Sequence, residues 1–206
     1  MKKILALCAF ALWLPLQACA VEQWQEGEHY DVINDTASAK PEILEFFSFW
    51  CPHCYSFETL VAQIKPKLEK NVKFKKVHVN FMGFTTPAIQ DEATKAMMVA
   101  RSLKDESLIQ AVFKYIHVQK SSVTSLKDLK NIFIVNGVNA DDFDKHASSF
   151  STNNMVLKNN KLIDQYRSNV TSVPTFIVNG KYKAKFTREM TQDDIVNLIV
   201  WLTKQK

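Results

Sequence analysis

Glycine is scarce in this chain, with 4 residues in 206. Neither GxGxxG nor GxxxxGK[ST] occurs. The backbone cradle of a phosphate-binding loop is therefore absent, and nucleotide binding is not expected. No Pro/Ser-rich linker, low-complexity tract or fixed-period repeat breaks the chain, which excludes a solenoid or a string of modules. The formal net charge is only +5, and no dense Lys/Arg stripe stands out. That excludes the electrostatic footprint of a nucleic-acid binder. Cysteine is also rare, at 4 residues, and the two at positions 51 and 54 form the sole CxxC. What remains is a composition of 47% hydrophobic and 23% charged residues, enough to bury a full core.

The one continuous apolar run lies at the start, in "MKKILALCAFALWLPLQACA". Lys2 and Lys3 make a basic head, residues 4–14 a short apolar core, and Pro15 breaks it ahead of Ala18 and Ala20, an A-x-A cleavage pattern. The run is shorter than the ~20 residues that a spanning helix needs. Residues 1–20 are therefore expected to be a secretory signal removed after Ala20. A second reading of "LQAC" makes Cys19 a lipidated N-terminus, although Gln17 fits that pattern poorly. Cleavage would remove Cys8 and Cys19 and leave only Cys51 and Cys54. An exported chain with a single CxxC has no disulfide framework, so the pair is expected to serve chemistry or a metal.

Organisation follows from hydrophobic periodicity. After a polar opening, "EILEFFSF" at 42–49 reads as a buried strand. "CPHCYSFETLVAQIKPKLEK" then turns helical, with Phe57, Leu60, Val61 and Ile64 on one face and Pro52 at a tolerant first-turn position. Pro66 is expected to kink or divide that helix. Residues 71–81, with Val72, Phe74, Val77 and Val79, read as a second strand, so strand, helix and strand over residues 42–81 form a parallel βαβ unit. From Thr86 to about Gln165 the pattern is helical in several segments. Its expected core positions include Ala93, Met97, Leu108, Phe113, Leu129, Phe133, Phe143, Phe150, Leu157 and Ile163. "VPTFIVNGKYKAKF" returns to strands joined at Asn179-Gly180 as a two-residue hairpin, and the chain closes with an amphipathic helix capped by Thr191. The order is β-α-β, a helical block, then β-β-α. The expected division is a sheet domain of 21–83 and 150–206 with a helical insertion at 84–149.

The spacing at "CPHC" admits a zinc site, a structural disulfide or a redox centre. Structural zinc needs four ligands, and beyond His53 and His78 the sequence offers little to complete a set. A disulfide across two residues closes a tiny loop and restricts little unfolded-chain entropy. Redox chemistry is the surviving reading. Cys51 falls at a strand-to-helix junction, where free N–H groups and the helix dipole favour a thiolate. His53 offers it a positive charge or a hydrogen bond. Cys54, further along the helix, is expected to be more buried and less ionised. Cys51 is thus expected to be the exposed attacking thiol and Cys54 the resolving one. Glu45 interrupts an apolar strand six residues earlier, so burial should raise its pKa. Lys76 on the second strand faces Glu45 if the two strands are adjacent, and such a pair can move protons. A cis peptide at Val173-Pro174 would set the backbone of Val173 beside the cysteines as an edge for an extended peptide.

"EFFSFWCPHCYSFE", "KKVHVNFMG" and "VPTFIVNGKY", in this order and spacing, resemble the DsbA family of periplasmic thiol-disulfide oxidoreductases, from about Gln23 to the C-terminus. The resemblance implies an α/β thioredoxin fold with an inserted all-helical domain and a cis Pro174. It implies catalytic Cys51, Pro52, His53 and Cys54, a buried Glu45 with Lys76 beneath them, and substrate contact at Val173 and Pro174. It further implies no cofactor or metal beyond the redox-active disulfide, and a monomer that oxidises unfolded or translocating proteins. Reoxidation would come from a DsbB-type membrane quinone reductase. Trp50 and Thr175 depart from the family's best-known pattern. A reductase or isomerase of the same fold, or a binding module with an incidental CxxC, remain the competing readings.

Overall fold

The computed structural model describes residues 23–205, so the expected signal segment, with Cys8 and Cys19, lies outside the described residues. Strand β1 (Tyr30–Val32) is followed by β2 (Glu42–Phe47), helix α1 (Pro52–Lys67) and β3 (Lys73–His78). Five helices then run in succession: α2 (Pro87–Ser102), α3 (Ser107–His117), α4 (Leu126–Val135), α5 (Ala140–Ala147) and α6 (Phe150–Tyr166). The chain closes with β4 (Thr175–Val178), β5 (Tyr182–Ala184) and α7 (Gln192–Leu202).

The five strands form one sheet in the order β1-β5-β4-β2-β3. β2 and β3 run parallel, as the βαβ reading requires, while β2–β4 and β4–β5 are antiparallel. Central β2 alternates its burial between two cores, since successive side chains leave a strand on opposite faces. Ile43 packs with Leu60, Val61 and Ile64 of α1 and with Val196, Leu198 and Ile199 of α7. Leu44 and Phe46 point the other way, onto Ile163 and Tyr166 of α6. Phe47 and Phe49 reach a third core shared with α2, α3 and α4, to which Cys51 and Cys54 also belong. The turn after β2 therefore sits where the sheet meets the helical block.

Local chemistry accounts for most element ends. Thr86, Ser125, Asn139 and Ser149 each cap a helix by accepting a backbone N–H at their side-chain oxygen. Thr191 and Asp194 form a reciprocal capping box at the start of α7. Asn136 ends α4, and Gly137 beyond it takes φ 94°, which a side chain would resist.

Several expectations need correction. Pro66 does not divide α1. It occupies the last turn, and the helix ends one residue later, at Lys67. There its missing N–H removes a single bond from the ladder. The hairpin is one residue longer than expected. Asn179 and Gly180 adopt the positive φ of a turn (53° and 64°), but Val178 pairs with Tyr182, leaving three residues in the loop. Phe150 and Leu157 are not core: they are 82% and 66% exposed, on the outer face of α6. Finally, the opening segment is not merely polar. Trp24 is buried, and Tyr30–Val32 adds an edge strand to β5.

Candidate active site

The site grows from the end of β2. Ser48 turns the chain: its carbonyl accepts the Cys51 N–H at 3.1 Å, and its hydroxyl accepts the Trp50 N–H at 3.3 Å. This places Cys51 at the N-cap of α1 in an extended conformation, with Pro52 at the first helical position, where its absent N–H costs nothing. The Cys51 sulfur takes the place of the usual capping oxygen and accepts the Cys54 N–H at 3.2 Å. Its thiol in turn lies 3.4 Å from the carbonyl oxygen of Val173, to which it donates. The Val173-Pro174 peptide is cis. Both cysteines are free thiols in this structure.

The two thiols differ sharply. Cys51 is held below the ordinary thiol value of 9.0, at about 7. The hydrogen bond from the Cys54 thiol contributes most, burial opposes it, and the backbone N–H groups of Cys54 and His53 add to the lowering. Cys54 is pushed up from the same value, by burial first and then by its role as donor to Cys51. A thiol lowered in this way at a helix N-terminus is the more readily ionised member of the pair.

Two expectations about this turn are revised. Cys51 is not exposed: only 2% of its surface is accessible, because Trp50, Tyr55 and Val173 pack around the same core. His53 is exposed, and its contribution to the Cys51 sulfur is its backbone N–H.

Beneath the cysteines lies an ionic layer. The parallel register sets Glu45 directly opposite Lys76, and Lys76 Nζ reaches Glu45 Oε2 at 2.7 Å. Glu45 is wholly buried, which raises its carboxyl above 4.5 against the pull of Lys76. For Lys76, burial works to lower the pKa, but the carboxylates of Glu45 and Glu58 outweigh it and keep the ammonium charged. Glu58 was not foreseen from the sequence. It sits on α1 one helical turn beyond Cys54, bonds Lys76 from the other side, and accepts in turn from Gln110 of α3. The i, i+4 spacing of Cys54 and Glu58 was the available signal.

Other polar groups complete the surroundings. Arg101 of α2 donates to the Lys76 carbonyl at 2.6 Å. His78, fully buried against Phe47 and Phe49, is pushed down to about 3 by desolvation and stays neutral, with Nδ1 bonded to Thr94 at 2.8 Å. Thr175 anchors the loop before β4 by donating to Ser172 at 2.7 Å. Among the described residues, no cluster of His, Cys, Asp or Glu is arranged to hold a metal.

A dithiol with one acidified sulfur, a partnered backbone edge and a buried carboxyl can exchange its oxidation state with other thiols. Comparison with known proteins agrees. A thioredoxin family model matches residues 31–200. The thiol:disulfide interchange protein DsbA of Haemophilus influenzae is 37% identical over 183 residues, covering 87% of this chain and 85% of the relative. The fold resembles that of DsbA from Klebsiella pneumoniae, with a TM-score of 0.77 at 24% identity over 89% of this chain and all of the other. A complex of Proteus mirabilis DsbA with the non-covalently bound peptide PWATCDS superposes with a TM-score of 0.75. It is 28% identical and covers 89% of this chain and 98% of that one. With its acidified thiol at the helix cap and these relatives over most of its length, this chain belongs to the DsbA family of thiol:disulfide interchange proteins and is a protein-disulfide oxidoreductase.

Proposed function

We propose that the chain is a periplasmic dithiol oxidase that donates its Cys51–Cys54 disulfide to newly exported proteins. A substrate thiolate attacks Cys51 Sγ of the disulfide. The new bond joins substrate to Cys51, and Cys54 leaves as a thiolate that takes up a proton. A second substrate thiol, deprotonated, attacks the substrate sulfur of this mixed disulfide and expels Cys51 as a thiolate. Two electrons pass from the substrate dithiol to the cysteine pair, and the substrate leaves with its disulfide.

The observation that carries this reading is the Cys51 sulfur at the cap of α1, which accepts the Cys54 N–H at 3.2 Å and whose pKa the hydrogen bonds of the turn lower from 9.0 to about 7. A stabilised thiolate is a good leaving group in the last step. Each unit of lowering also favours the reduced form by about 1.4 kcal/mol, or about 30 mV toward an oxidising couple. Val173, with its backbone turned toward Cys51, offers an extended substrate an edge to pair with, and Pro174 holds that edge open beside the pair. A peptide containing cysteine, bound to the Proteus relative, is the kind of ligand such an edge accepts.

The same reading places the protein in the periplasm as a monomer after loss of residues 1–20, with lipidation at Cys19 the lesser alternative. No described helix is long and apolar enough to cross a membrane. A DsbB-type membrane quinone reductase would restore the disulfide. Residues 21–83 and 150–206 would form the thioredoxin-like domain and 84–149 the inserted one. That division is supported by α6, which shares a core with Leu44 and Phe46 of the sheet.

The test is stoichiometric transfer. Oxidised protein mixed with a reduced two-cysteine peptide should yield one oxidised peptide per protein, while Cys51→Ser, which cannot form the disulfide, yields none. Cys54→Ser given the peptide in its oxidised form should accumulate a mixed disulfide through attack of Cys51 on the peptide disulfide. Transfer that runs preferentially from oxidised peptide to reduced protein would mark a reductase instead.

A further inference from the structure

His117 has no part in the reading above, yet it grips the redox turn from both sides. It ends α3, within the helical block, and its Nε2 lies 2.8 Å from the carbonyl oxygen of Phe49. A carbonyl only accepts, so Nε2 carries the proton and donates. Its ring also lies flat against Tyr55, with centroids 5.3 Å apart and planes within 7°. Phe49 precedes Cys51 by two residues and is fully buried. Tyr55 follows Cys54 directly, and its N–H closes the first helical turn on the Cys51 carbonyl at 3.1 Å.

We propose that His117 is a positioning residue: a clasp from the helical block that, seated against the Tyr55 ring, fixes the Phe49–Trp50 peptide through its Nε2 donor and thereby holds the N–H donors of the turn on the Cys51 sulfur. This rests on Cys51 being the attacking thiol. The path is short. The Phe49 carbonyl belongs to the same peptide plane as the Trp50 N–H, which bonds Ser48 Oγ, while the Cys51 N–H bonds the Ser48 carbonyl. Freeing that plane lets the peptide rotate to seek another donor, because a buried carbonyl without a partner is costly. The rotation is passed to the next peptide, that of Cys51, whose sulfur depends on aligned donors from His53 and Cys54. Phe113 backs both rings, at 5.1 Å from Phe49 and 6.0 Å from His117, so the imidazole has little room to move.

Two substitutions separate the clasp's parts. His117→Phe keeps the stack and removes the donor, whereas His117→Gln keeps a donor of similar reach and removes the stack. The readouts are the pH titration of Cys51 thiolate absorbance and the redox equilibrium against glutathione, with thermal unfolding alongside. For His117→Phe we expect the thiolate to be destabilised and the equilibrium to shift roughly three- to tenfold toward the disulfide form, the share of one net hydrogen bond. His117→Gln should stay within about twofold of wild type. The proposal is overturned if His117→Phe leaves both Cys51 readouts unchanged, whatever its thermal stability, or if His117→Gln falls as far as His117→Phe. The wild-type titration stands apart from these outcomes: an ordinary thiol value there refutes the oxidase reading itself, whatever the variants do.

Discussion

Cys51 and Cys54 are the same residue type, one helical turn apart, and their surroundings drive them in opposite directions. Cys51 occupies the helix cap, where unpaired N–H groups converge on its sulfur. Cys54 lies inside the first turn, its backbone already committed and its thiol fully buried above a carboxyl. One helical turn thus separates an environment that favours a thiolate from one that forbids it. What decides between them is the hydrogen bond that the Cys54 thiol donates to the Cys51 sulfur, together with the burial that suppresses Cys54, and the backbone N–H groups of the turn add to the stabilisation of Cys51. Acidity at this site is a property of the turn's geometry rather than of a nearby cation: the buried Lys76 is committed to Glu45 and Glu58.

The largest break in this asymmetry comes from Cys51→Ser, which should abolish transfer in a peptide oxidation assay. Next, Lys76→Met leaves Glu45 and Glu58 buried without their cation, and should cost about 3 kcal/mol or more in urea unfolding at neutral pH. Cys54→Ala should move the Cys51 titration midpoint from about 7 back toward 9.0, because the largest stabilising contact is removed while the backbone donors stay.

Smaller effects follow from linkage. The folded pKa of Cys51 lies below its unfolded value, so this thiol stabilises the reduced protein above about pH 7 and loses that contribution as pH falls through 7. The gain should reach about 1 kcal/mol by pH 8 and be absent in reduced Cys51→Ser. Above the ordinary thiol range Cys54 opposes it, since only the unfolded chain ionises there. Glu45 behaves inversely. Its folded pKa is raised, so its favourable contribution is whole below about pH 4.5 and is lost as pH rises through the folded value. Glu45→Gln should therefore gain stability relative to wild type on going from pH 4 to pH 8; a pH-independent difference between the two would contradict the raised carboxyl. The smallest effect is at Phe150→Ser and Leu157→Ser, which should change stability by no more than about 0.5 kcal/mol, given their exposure.

Much of the site was legible because it is local or follows from strand register. The CPHC turn, the carboxylate in an apolar strand and the facing lysine can all be read from a βαβ pattern. So can the parallel pairing that brings Glu45 to Lys76. Glu58, Gln110 and His117 were not legible, since their roles arise where α3 packs on α1, and helical periodicity does not say which helices meet. The same limit misplaced Phe150 and Leu157: apolar residues within a helical stretch were counted as core, although α6 turns that face outward. Cys51 was expected to be exposed, with Cys54, further along the helix, the more buried of the two. Its cover comes from Val173, 122 residues away in sequence, and from Trp50, whose position flanking the sulfur was visible but whose packing was not.

The account rests on the pull exerted by the stabilised Cys51 thiolate. The most direct test is the equilibrium of the Cys51–Cys54 pair against a glutathione buffer, in purified protein, with thiolate absorbance followed over pH. The account predicts a couple clearly more oxidising than glutathione and a Cys51 midpoint near 7. A couple as reducing as that of thioredoxin, with an ordinary thiol midpoint, would contradict it.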